Sequence, residues 1–140
     1  MAEMTEDARE AFLAAPRLGI LTMLQDNGAP IAVPIWFEWN GERALAFTSV
    51  NSPKVARLQQ DRRASLLITN IVGEPEAWVA IDSNVRIEEE GAAELARRLA
   101  DRYWDMSDDD HRATVDMWTR AGSMLRVLVF EPTAIRSYGG

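Results

Sequence analysis

The apolar positions of this chain follow two periods, and each change of period marks where one kind of element gives way to another. Residues 18–24 are apolar or β-branched and run into Asp26-Asn27-Gly28, a strand followed by a tight turn in which Asn and Gly can supply positive φ. Residues 29–39 alternate with period two. Ile31, Val33, Ile35, Phe37 and Trp39 share one face, and Ala32, Pro34, Trp36 and Glu38 share the other. That predicts a second strand, hairpinned to the first and buried on much of both sides. Asn40-Gly41 repeats the turn signal, and residues 43–49 form a third strand with Leu45 and Phe47 pointing one way, so the chain is expected to open as a three-strand meander. Two more strands are expected at 64–71 and 77–87, separated by Gly73-Glu74-Pro75. A strand at 124–130, ended by Pro132, and a short one at 134–138 complete the set.

Four segments carry the helical period instead. In 5–14, Thr5 can cap, Glu6 and Asp7 suit the first turn, and Pro16 stops the helix. Ser52 as cap and Pro53 at the first position open a short helix with Val55 and Leu58 as its apolar stripe. In 88–103, Ala92, Leu95, Ala96, Leu99 and Tyr103 keep the i, i+3, i+4 spacing. A last helix is expected from a Ser107 cap to near Gly122, burying Val115 and Trp118. Six or seven strands with early hairpins and late helices do not alternate as βαβ units would. The expected fold is mainly β (α+β), a six- to seven-stranded antiparallel barrel with peripheral helices, in which closure removes exposed sheet edges.

Composition narrows the class. With 140 residues, 47% hydrophobic and 26% charged, the chain reads as a single globular domain over 1–140 that can bury its own core. It contains no cysteine, which removes disulfides, thiolate metal sites and a thiol nucleophile, and suits a reducing compartment. No stretch of about 18 apolar residues occurs and residues 1–12 lack the apolar centre of a signal peptide, so a cytoplasmic protein with no membrane partner is expected. The formal net charge of −7 opposes wrapping around a polyanion, and no nucleic-acid partner is expected.

Candidate chemistry concentrates at 47–57. Thr48, Ser49 and Ser52 offer hydroxyls, the helix after Ser52 offers backbone N–H groups at the positive end of a dipole, and Lys54 and Arg57 add charge. Lys54 is the only lysine. On the residues alone two readings stand: a capped helix with a solvated cationic face, or a phosphate site beside the flat apolar platform of Pro34-Ile35-Trp36-Phe37. His111, the only histidine, stands in an acidic helix start, where consecutive residues diverge around the axis and do not converge on a metal. No metal site is expected and no catalytic acid or base can be named, which leaves any chemistry to a bound cofactor.

The run Ala32-Val33-Pro34-Ile35-Trp36-Phe37, then Phe47-Thr48-Ser49 through Ser52, Lys54 and Leu58, then Asp61-Arg62-Arg63-Ala64-Ser65-Leu66, resembles the pyridoxamine 5′-phosphate oxidase-like split β-barrel family, especially its short branch that binds FMN or the 8-hydroxy-5-deazaflavin coenzyme. The resemblance implies a homodimer with two cofactor sites at the subunit interface. It implies that the isoalloxazine ring lies along Val33, Pro34, Ile35 and Trp36, and that Thr48, Ser49, Ser52 and Lys54 hold the phosphate with help from Arg57. Asn70 is a further candidate for polar contact with the ring, and Trp104 and Trp118 are candidates contributed by the partner chain. The basic cluster that deazaflavin-binding relatives use for an oligoglutamate tail is thin here, which favours FMN. The substrate residues of true pyridoxamine phosphate oxidases are missing. The implied function is a flavin-dependent oxidoreductase acting on a small organic molecule, the alternatives being a deazaflavin-dependent reductase or a non-catalytic flavin carrier.

Overall fold

The computed structural model describes residues 2–140. In chain order it contains α1 (Glu6–Ala14), β1 (Gly19–Leu24), β2 (Pro30–Ile35), β3 (Glu38–Trp39), β4 (Ala44–Ser49), α2 (Pro53–Gln60), β5 (Arg63–Thr69), β6 (Trp78–Glu88), α3 (Ala92–Tyr103), α4 (Asp109–Arg120), a 3-10 turn (Gly122–Met124) and β7 (Leu125–Tyr138). The seven strands form one antiparallel sheet of order β2-β1-β5-β6-β7-β4-β3. Only Trp36 and Phe37 separate β2 from β3, so the two ends of that order are tied together and the sheet curls into a half-closed barrel.

The closure overturns the expected meander. β4 pairs with β7 and β3, and β2 pairs only with β1. The strand expected over 29–39 is cut at Trp36-Phe37, because one straight strand cannot border both ends of a twisted, curling sheet. Its alternation survives the cut. Ile31, Val33, Ile35, Phe37 and Trp39 all pack on the barrel core, while Pro30, Ala32 and Pro34 are exposed, so β2 is buried on one face and not on both.

Inside the barrel Leu21, Met23, Leu66, Ile81, Leu128 and Phe130 form the core, with Leu13 of α1 and Leu58 of α2 added to it. A second cluster lies outside, where Leu95 and Leu99 of α3 cover Leu45, Phe47, Val127 and Val129 on β4 and β7. The outward residues of β1, β5, β6 and the far half of β7 line open grooves.

Four local expectations are corrected. β7 is one strand of 14 residues, because Pro132 sits at a register shift opposite Asp82 and Ser83, beyond Phe130 where β4 ends, and its missing N–H interrupts no inner ladder. α3 begins at Ala92 and not at 88, since β6 stays paired to Glu88 and Gly91, at φ 90°, makes the turn. α4 is capped by Asp108, while the Ser107 hydroxyl donates to Asp105 at 2.6 Å. In the first hairpin only Gly28 takes positive φ, and Asn27 contributes through its side chain, which accepts from the Ala29 N–H at 2.9 Å. No helix among the described residues is long and apolar enough to cross a membrane.

Candidate functional site

The barrel is open on one side, and its sheet order shows where. β2 has a partner on one edge only, and β4 is bonded to β3 only through Ala44 and Leu45. From the Trp36-Phe37 junction two unpaired backbone edges therefore diverge, one carrying Val33, Pro34 and Ile35 and the other Thr48 and Ser49. Tyr103 at the end of α3 pins the junction. Its hydroxyl donates to the Arg17 carbonyl at 2.6 Å and accepts from the Phe37 N–H at 3.3 Å.

The chain turns from β4 into α2 at the polar end of this opening. Ser49 Oγ accepts from the Asn51 N–H at 3.3 Å, and Ser52 Oγ accepts from the Lys54 N–H at 3.2 Å. Each hydroxyl spends an acceptor on its own turn and keeps its hydrogen to donate outward. Thr48 is buried at the strand end. Within the basic stretch the cations divide. Arg62 donates to the Val85 carbonyl, and Arg63 forks onto Asp61, whose carboxyl it draws down from 3.8 to about 2. Lys54 and Arg57 have no side-chain hydrogen bond or ion pair among the described residues. Arg57 lies one turn further along α2 and lines a groove of about 400 Å³ against Gln25, Asp26 and Asn27 of the first hairpin.

The junction end is aromatic. Trp36 stacks on Tyr103 (centroids 5.2 Å, 6°) and meets Trp104 edge-on (4.8 Å, 90°) and Trp118 edge-on (6.3 Å, 77°). Phe47 meets Trp118 at 5.1 Å and 62°. Trp104 and Trp118 thus reach Trp36 within one protomer. His111 stacks on Trp104 at 4.4 Å, with Nδ1 2.8 Å from the Asp105 carbonyl.

Thr48, Ser49, Ser52 and Lys54 come together at the β4–α2 turn, and Val33, Pro34, Ile35 and Trp36 lie along β2 and the junction that follows it. Asn70 stands apart in the β5–β6 hairpin, where its Oδ1 accepts from the Ala77 N–H at 3.2 Å and its Nδ2 donates to the Ile71 carbonyl at 3.1 Å. Sequence reading missed Tyr103 as the pin of the junction and Phe47 as a wall of the aromatic cluster. Tyr103 is visible in the helical stripe, but nothing in that stripe tells that its hydroxyl is used.

The fold recurs in solved structures. One described as an F420 reductase is 19% identical, with 90% of this chain and 94% of that one aligned at a TM-score of 0.72. A conserved hypothetical protein of Mycobacterium tuberculosis is 22% identical (96% and 84%, TM-score 0.76), and an FAD-binding protein of Mesorhizobium loti is 18% identical (96% and 94%, TM-score 0.65). No curated protein matches the chain. The family model described as pyridoxamine 5′-phosphate oxidase matches residues 5–138, nearly the whole length over which the split barrel and its helices extend, and the chain belongs to that family.

Proposed function

We propose that this protein binds FMN in the split between β2 and β4, closes the site as a homodimer, and acts as a cytoplasmic oxidoreductase on a small organic substrate. The observation that carries the reading is the pairing of free phosphate donors with a free sheet edge. Two hydroxyls already oriented by their own turn, the start of α2 and an unpaired Lys54 support a phosphate at the β4–α2 turn, and the exposed edge of β2 supports the ring.

The donor set fits the cofactor. A phosphate dianion suits the outward hydroxyls of Ser49 and Ser52, Thr48 and the Lys54 ammonium, with Arg57 one turn away adding charge at longer range. The mixed donors and acceptors of the isoalloxazine rim suit the unpaired backbone groups of the free β2 edge, where Pro34 offers a carbonyl acceptor but no N–H, and Trp36 gives an apolar surface at the junction. Asn70 keeps one amide hydrogen beyond its hairpin bonds, available to a ring carbonyl. When bound, the flavin supplies the hydride or electron exchange; the protein holds the phosphate, orients the ring and excludes water with the partner subunit.

A deazaflavin-dependent reductase is the second reading, favoured by the neighbour described as an F420 reductase. The short supply of unpaired cations around α2 argues for FMN over a coenzyme with an anionic tail. Parallel titration with FMN and the deazaflavin, followed by fluorescence and sedimentation, decides between them. One FMN per subunit of a dimer is expected, and Lys54→Ala should weaken it by about 1.5–3 kcal/mol, roughly tenfold or more. Binding of neither ligand, or affinity indifferent to Lys54, would reject the site.

A further inference from the structure

Beside the split, on the α3–α4 side, lies a cleft of about 270 Å³ lined by Ile35, Trp36, Phe47, Trp104 and Trp118. No charged side chain among the described residues lines it. These aromatic residues are only half-buried, in contrast to Phe37 and Phe130, which the core seals completely. Trp104 and Trp118 lie nearly parallel (5.5 Å, 22°), Trp36 stands close to perpendicular to both, and Phe47 is inclined against Trp118. Flat walls at right angles suit a flat ring, which can stack on one wall and present its edge to the next.

The indole N–H of Trp39 is used, donating to Glu10 at 2.9 and 3.0 Å. The indole N–H groups of Trp36, Trp104 and Trp118 have no partner among the described residues, and none is among the side-chain nitrogens sealed from solvent. The three tryptophans that line the cleft thus each carry a reachable donor with no acceptor among the described residues.

We infer that this cleft binds a flat aromatic ring bearing a carbonyl-type hydrogen-bond acceptor, stacked against the tryptophans with its acceptor on an indole N–H. As a binding site it belongs to the protomer alone. Its meaning as the substrate's place beside the cofactor rests on the flavin reading, with Ile35 and Trp36 shared between the two.

The test uses the purified full chain, labelled with ¹⁵N, and 2-acetylnaphthalene as probe. Saturable binding that shifts the indole signals of Trp36, Trp104 and Trp118 while leaving those of Trp39 and Trp78 in place is expected. 2-Ethylnaphthalene, without the acceptor, should bind more weakly, and cyclohexyl methyl ketone, without the flat ring, should not saturate. Trp118→Leu keeps an apolar side chain on α4 and should weaken binding roughly tenfold while the circular dichroism is unchanged. Absence of saturation, shifts confined to other residues, equal affinity for the ethyl compound, or indifference to Trp118→Leu would overturn the inference. Saturating FMN that displaces the probe would assign the cleft to the cofactor, and probe-driven dissociation of a dimer would assign it to the partner subunit; either also overturns it. Probe binding unaffected by FMN supports it, and a protein that binds the probe but no flavin would separate the failure of the flavin reading from this one.

Discussion

A single hydroxyl pins the junction between β2 and β3. Tyr103 bridges the Arg17 carbonyl and the Phe37 N–H at the place where the strand alternation is cut. Tyr103→Phe keeps the ring stacked on Trp36 but leaves both backbone groups without that partner. The expected cost is about 1–2 kcal/mol, read as a lower urea midpoint with an unchanged slope. Asp82 offers a second test. The Arg136 guanidinium, with the Ser65 hydroxyl behind it, holds its carboxyl below the ordinary 3.8. The folded state thus favours the charged form. The stabilisation is complete above the unfolded value of 3.8 and is lost as pH falls through the lowered folded value. Asp82→Asn should cost about 0.5 kcal/mol at neutral pH, a small figure because the pair is partly solvated, and thermal melts of variant and parent should converge on acidification. These two side chains mark the limit of sequence reading. The Ser52 cap and the Pro53 helix start were legible because they are local, whereas the partners of Tyr103 lie 66 and 86 positions away.

Elements were legible wherever their period was undisturbed and their ends were set by nearby residues. α1 and α2 carry their expected caps, Thr5 and Ser52, and the β5–β6 break falls at Gly73-Glu74-Pro75. Errors arose where a distant strand decided the outcome. β6 holds residues through Glu88 because Val127 pairs with it, and β7 passes Pro132 because no strand asks for that residue's N–H. The break at Trp36-Phe37 has the same origin, since local alternation cannot report that a strand must serve both ends of a barrel. In α4 the cap moved by one residue within an acidic run in which each candidate could accept a backbone hydrogen. Asp108 accepts from the Asp110 and His111 N–H groups at 2.8 and 3.1 Å. Asp108→Ala should therefore cost about 1 kcal/mol, and faster amide exchange should be confined to the first turn of α4, whereas Ser107→Ala should leave that turn protected.

For the whole molecule, the unresolved demand is cover. α3 shields the outside of β4 and β7, but on β1, β5 and β6 the outward residues Leu67, Trp78 and Ala80 line a groove of about 390 Å³, with Leu67 38% exposed. The same face carries Asp82 and Arg136, both signs of charge on adjacent strands, which is the arrangement a two-fold axis can make complementary to itself. The flavin reading needs a second wall opposite β2, and a partner docked on this face supplies one without new chain. Leu67→Arg tests that economy. In a two-fold interface each substitution is made twice, bringing like charges together, whereas in an uncovered protomer an exposed leucine can be exchanged at little cost. Sedimentation should show monomers with unchanged circular dichroism, and FMN affinity should fall with dimerisation although no residue near Lys54 is altered. A variant that remains dimeric would move the interface to the free edge of β2 or to the α3–α4 side. There the aromatic cleft would itself be the subunit contact, and probe and partner would compete for the same three indoles.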